Sequence, residues 1–153
     1  MDVLEALQRA MRGEKTEGFA MRFPPPIATL VGFEPVQVER GATVFRLAAR
    51  REKHANPMGT VHGGILCDLA DAAMGMACAS LLQLGESFTT IELHMTYLRA
   101  VFDADLEARA RVVNAGKTLV YLECEVVTAA DEKLVAKATS TCLILRDQQA
   151  QGR

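Results

Sequence analysis

The chain has 153 residues, 50% of them hydrophobic and 24% charged, which suits a single globular domain with a sizeable core and leaves little for a second one. A net charge of -2, a pI near 5.9 and no run of like charges argue against a nucleic-acid surface or a charged tail. Its one long apolar stretch contains two aspartates and several glycines, which argues against a transmembrane span.

Val3, Leu4, Leu7, Ala10 and Met11 recur at helical spacing and predict an amphipathic helix over 3–11 that Gly13 ends. No secretory signal is visible ahead of it. Pro24-Pro25-Pro26 forbids a continuing helix, so 27–31 reads as a short connector running to Gly32.

From Phe33 the period becomes two. Val36 and Val38 alternate with Gln37 and Glu39, then Phe45, Leu47 and Ala49 with Arg46 and Arg50, around a hairpin turn at Arg40-Gly41-Ala42. His54 falls in a polar connector and reads as solvated. After a loop broken by Pro57 and Gly59, the Gly63-Gly64 pair opens an apolar run that is helix-compatible to about Leu84.

That run has almost no polar stripe, the pattern of a helix covered on most sides. Asp68 and Asp71 inside it are therefore costly to desolvate unless each has a partner or a task. Asp68 is near enough to the helix start to gain from the dipole, whereas Asp71 lies too deep. Four further alternating segments follow, near 88–98, 105–113, 117–127 and 134–145, with turns at Asn114-Ala-Gly116 and Ala130-Asp131-Glu132. The expectation is an α+β domain in which one antiparallel sheet wraps the long apolar helix, because nothing else is large enough to cover it.

The helix start also carries chemistry. Its first amides have no intrahelical partner and sit at the positive end of the dipole, which suits a developing oxyanion as well as a phosphate. Gly63 and Asp71 are eight residues apart, about 12 Å along one helix. Any group that needed the Gly63 amide and the Asp71 carboxylate each at about 3 Å could not find both on one copy of the helix. A twofold dimer with antiparallel helices would set Gly63 of one protomer opposite Asp71 of the other and create two equivalent sites.

His54, His62 and His94 have no metal-ligand spacing, so no metal is expected. His94 alternates with Thr90, Glu92 and Thr96 and reads as part of a polar sheet face. Cys67, Cys78, Cys124 and Cys142 include no C-x-x-C pair and read as reduced core thiols, which favours a cytoplasmic location. Nothing near Cys67 in sequence would lower its pKa as a nucleophile requires. Met74, Met76 and Met95 are candidates for the core or for a pocket lining.

The pattern Asn56-x-x-Gly59-x-x-His62-Gly63-Gly64, with an acid at Asp71, the strand Thr90-Ile-Glu-Leu-His-Met-Thr96-Tyr97 and the turn Gly116-Lys117-Thr118, resembles the hotdog-fold acyl-CoA thioesterases of the phenylacetate-degradation (PaaI-like) branch. The likeness covers roughly residues 30–146. It implies a single hotdog domain over 1–153: an N-terminal helix and connector to 30, a core over 31–146 and a tail over 147–153.

The resemblance further implies hydrolysis of an acyl- or aryl-CoA thioester. The Gly63 amide would polarise the carbonyl and Asp71 would act as nucleophile or general base. Asn56 and His62 would shape the loop and the water site, and Thr90 would hold Asp71 or the water. It implies a homodimer with shared sites, often paired into a tetramer, and no cofactor, since CoA is part of the substrate. Gly64, Lys117 and Arg99, with Arg51 and Lys53, are candidates for contacts to the CoA arm and its phosphates. A hotdog module that binds acyl-CoA without hydrolysing it is the alternative from another class, and a hotdog hydratase is a third.

Overall fold

In the computed structural model, which describes residues 2–151, six strands form one antiparallel sheet in the order β1-β2-β4-β5-β6-β3. These are β1 (Phe33–Glu39), β2 (Ala42–Ala49), β3 (Ser87–Tyr97), β4 (Ala104–Ala115), β5 (Leu119–Thr128) and β6 (Leu134–Leu145). Of the helices, α1 (Val3–Met11), α2 (Pro26–Val31) and α3 (Arg51–His54) are short, and α4 (Gly63–Ala79) runs through the curl of the sheet. This is the expected wrapped helix in an α+β domain.

α4 is buried where the sheet covers it. Leu69, Ala70, Ala73, Met74, Ala77 and Cys78 are all fully buried, and a buried Leu or Met contributes roughly 1.5–3 kcal/mol of transfer free energy. Its depth and rotation are pinned by polar contacts. The Thr43 hydroxyl donates to the Ala73 carbonyl at 2.7 Å, and the buried Ser80 hydroxyl donates to Ala77 O while accepting from Gly41 N–H, both at 2.7 Å. Ser80 also explains why α4 stops at Ala79, short of the expected Leu84: its hydroxyl serves the helix end and a loop at once.

Three other readings of the sequence need correction. The 27–31 connector lies within the helix α2, because Pro26 occupies a first-turn position where its missing N–H costs nothing, and Gly32, at φ 97°, ends the helix. Val36 faces solvent instead of sharing the buried side with Val38, since a bulge between Pro35 and Gln37 shifts the register of β1. His54 is buried: α3 turns its ring inward, where Nδ1 accepts from Arg50 N–H at 3.0 Å and Nε2 donates to Val31 O at 2.8 Å.

The start of α1 is capped by the Asp2 carboxylate, which accepts from Glu5 N–H at 3.0 Å, and Val3, Ala6 and Leu7 are its buried face. Val3 N–H reaches Leu82 O at 3.3 Å, so α1 begins against the segment that follows α4. The expected tail contains a 3-10 turn over Asp147–Ala150, and positions 152 and 153 lie outside the described residues.

Candidate functional site

The loop before α4 is tied down from several sides. Val61 N–H donates to Val101 O at 2.8 Å and His62 N–H to His54 O at 2.7 Å, so the inward-turned His54 anchors the segment that carries His62 and Gly63. Asn56 builds the loop itself: its Oδ1 accepts from Met58 and Thr60 N–H at 3.0 and 3.1 Å, and its Nδ2 donates to Thr60 Oγ1 at 2.7 Å. Those bonds form a local turn of the kind short amide side chains favour.

At the helix start the amides divide their tasks. His62 is the cap, its Nδ1 accepting from Gly64 N–H at 2.9 Å, which leaves the ring proton on Nε2. The His62 carbonyl accepts from Ile65 N–H at 3.0 Å and so polarises the peptide whose N–H belongs to Gly63. Among the described residues the Gly63 N–H has no partner, whereas that of Gly64 is engaged.

Tyr97, at the end of β3, completes this corner. Its hydroxyl donates to Gly63 O at 3.0 Å and lies 3.2 Å from Cys67 Sγ, and that contact, with some burial, pushes the phenol up to about 12. A Cβ on Gly63 would stand 2.8 Å from the Tyr97 ring, so glycine is required by close approach and not by an unusual backbone angle. Tyr97 closes the strand motif in the sequence, where nothing marks it as a neighbour of Gly63. Only the fold brings the two stretches together.

Two turns further along α4, Asp71 accepts a hydrogen bond from the Thr90 hydroxyl at 3.0 Å. β3 runs beside α4 so that Thr90 and Phe88, two apart on one strand face, meet Asp71 and Gly75, four apart on one helix face; the spacings match at about 6 Å. Behind Thr90, the Cys142 thiol lies 3.8 Å from its hydroxyl. Cys142 in turn contacts Cys78, whose thiol is pushed upward by that contact and by burial.

The aspartates are not buried within one chain: Asp68 and Asp71 both face an open side of α4. That corrects the expectation of costly burial. The sheet covers the rest of the helix and leaves this stripe bare. Even so, partial desolvation, with the charge of Asp71 added, holds the Asp68 carboxyl above its usual range.

Asp71 and Thr90 stand on the wall of a cavity of about 950 Å³ between α4, β3 and the N-terminal segment. Met76 lines it, Met74 is core, and Met95 packs partly against the core. Lys117 and Arg99 are exposed, and neither lines the cavity nor forms an ion pair among the described residues. His94 stands on the polar face of β3, 3.4 Å from Glu92. Among the described residues, no three His, Cys, Asp or Glu side chains converge as a metal site would require, and no helix is long and apolar enough to cross a membrane.

Residues 58–135 match the thioesterase superfamily. Human acyl-coenzyme A thioesterase 13 is 30% identical over 93 residues, which are 59% of this chain and 64% of that relative, so the chain spans less than two thirds of its length. Among solved structures, a mutant of the phenylacetic acid degradation protein PaaI from Thermus thermophilus is 31% identical, with a TM-score of 0.71 over 78% of this chain and 98% of its own. A phenylacetic acid degradation-related protein from Ralstonia eutropha is 30% identical, with a TM-score of 0.75 over 89% and 97%.

Proposed function

We propose that this chain, which belongs to the thioesterase superfamily, hydrolyses an acyl- or aryl-CoA thioester to the free acid and CoA, at sites built by two copies of the chain. The observation that carries this is the Thr90–Asp71 hydrogen bond at the mouth of an apolar cavity, in a protein whose α4 opens on a Gly63 amide without a partner among the described residues. An apolar pocket with few convergent polar groups is the usual form of a small-molecule site.

In the proposed reaction the thioester oxygen accepts from Gly63 N–H of one protomer while Asp71 of its partner works on the carbonyl carbon. Asp71 either attacks directly, giving an anhydride that water hydrolyses to the free acid and the restored carboxylate once the thiolate has left, or takes a proton from a water whose oxygen then bonds to that carbon. The carbon–sulfur bond breaks, and the CoA thiolate leaves and is protonated. Thr90 holds the carboxylate in place, and His62 and Asn56 hold the loop. Lys117 and Arg99 are left as candidates for exposed contacts to the CoA phosphates.

The two-protomer arrangement is supported by the distance of about 12 Å along α4 between the two groups. It is supported too by β3, which pairs only with β6 and leaves its other edge free among the described residues. A dimer of dimers is part of the proposal. Four free cysteines, three of them buried, suit the reducing interior of a cell.

Thiol release from a panel of acyl- and aryl-CoA thioesters tests the reading. Asp71→Asn is expected to lower kcat at least a hundredfold while leaving the protein folded. Activity that survives the substitution removes Asp71 from the chemistry, and binding of CoA thioesters without any thiol release would identify a binding module instead.

A further inference from the structure

The cavity that Asp71 opens into has a direction. Asp71, Ala72, Gly75, Met76 and Ala79 lie on one face of α4 and line it successively, so it extends from the carboxylate toward the C-terminal end of the helix. Phe88 closes one side by resting on Gly75, where an added Cβ would lie 3.2 Å from its ring. Leu7, Ala10 and Met11 of α1 line the cavity as well, and the Val3–Leu82 hydrogen bond fixes the start of that helix at the far end. The N-terminal segment is therefore a wall of the pocket.

Its polarity is as uneven as its shape. The polar side chains Asp68, Asp71 and Thr90 stand at the α4–β3 mouth, and the other two in the lining, Arg22 and Glu34, are exposed. The rest is apolar, including Phe19, Phe23, Phe33, Phe45 and Phe88. A hydroxyl buried there would lose its water without gaining a partner.

We propose, on the premise that the thioester reading above is right, that the acyl group is an unhydroxylated alkyl chain of medium length lying along α4 from Asp71 to Ala79 beneath α1, with Ala79 setting its limit. From Asp71 to Ala79 is eight residues, about 12 Å of helix. An extended alkyl chain advances about 1.3 Å per carbon–carbon bond of about 1.5 Å, so about nine bonds fill that length. The volume admits many acyl groups. The depth along α4 and the apolar lining select among them.

Binding and hydrolysis are measured separately on the full chain. Calorimetry with the non-hydrolysable thioethers S-butyl-CoA and S-decyl-CoA is expected to show the decyl form bound at least thirtyfold more tightly. In thiol release, decanoyl-CoA is expected to exceed both butyryl-CoA and hydroxyphenylacetyl-CoA at least tenfold in kcat/KM. Ala79→Leu fills the far end and is expected to reduce the decyl-to-butyl ratio at least tenfold. Should that buried position fail to fold, Ala10→Leu, at a half-buried lining position on α1, is read in the same way. A decyl-to-butyl ratio near one, a ratio untouched by a folded variant, or preference for the hydroxylated aryl thioester overturns the inference. Decyl selectivity with no thiol release from any thioester instead overturns the proposed hydrolysis and leaves the occupant of the cavity as assigned.

Discussion

Thr90→Val removes one hydroxyl and changes almost nothing else, which makes it the most direct test of the site. The residue lies within β3, where a β-branched side chain is well accommodated, and valine matches threonine in shape. What disappears is the 3.0 Å donation to Asp71 and the weaker 3.8 Å contact with Cys142. A hydrogen bond to a charged group is worth about 1.5–3 kcal/mol, and about 1 kcal/mol where solvent competes, as it does at Asp71 in a single chain. If substrate and the second protomer exclude that solvent during turnover, the upper range applies, and 1.4 kcal/mol is about tenfold in rate. The expected loss in kcat is therefore about 10- to 150-fold for Thr90→Val, with KM little changed and thermal stability within a few degrees. Thr90→Ser, which keeps the hydroxyl, is expected to recover most of the rate. The assay is continuous thiol release under saturating and limiting thioester, with a melting curve for each variant. A folded Thr90→Val enzyme within twofold of wild type, or a serine variant as slow as the valine one, would show that the hydroxyl does not hold Asp71 for catalysis.

Gly63→Ala is expected to cost at least tenfold in kcat/KM, because its methyl would lie 2.8 Å from the Tyr97 ring and must displace either the ring or the amide. The same substitution in a Tyr97→Ala background should cost less, since the obstruction is gone; equal penalties in both backgrounds would refute this account. Asp68→Asn bears on pH. Desolvation, and then the charge of Asp71, raise the Asp68 carboxyl in the folded protein, so its ionisation opposes folding above that raised value and ceases to matter once pH falls below the unfolded value of 3.8. The variant is therefore expected to melt slightly higher than wild type at pH 7, with the gain fading toward pH 3. A gain of the same size at both pH values contradicts the assignment.

The fold was legible in the chain because its signals are local and redundant. Alternation in β2 and in the later strands placed them to within a few residues, and the unbroken apolar circumference of α4 required a sheet to wrap it. Where a single residue shifted the register, as at the bulge in β1, the pattern misplaced Val36. His54 was misread because polarity in a loop says nothing about which way a short helical turn will point a ring. The motif names Gly63, Asp71 and Thr90 as candidates, but Tyr97 reaches Gly63 and Cys142 reaches Thr90 from distant stretches that leave no spacing signal.

What the sequence determined by itself is periodicity and reach: the class of fold, and the separation of Gly63 from Asp71 that follows from the rise of a helix. Tertiary structure decided which polar atoms are already occupied. It engages the Gly64 amide with His62, leaves the Gly63 amide without a partner among the described residues, directs the Thr90 hydroxyl at Asp71, and lays α1 across the cavity. The physical reason is range. Helix and strand preferences act over a few neighbouring residues, whereas hydrogen-bond partners and cavity walls are fixed by contacts between segments tens of residues apart.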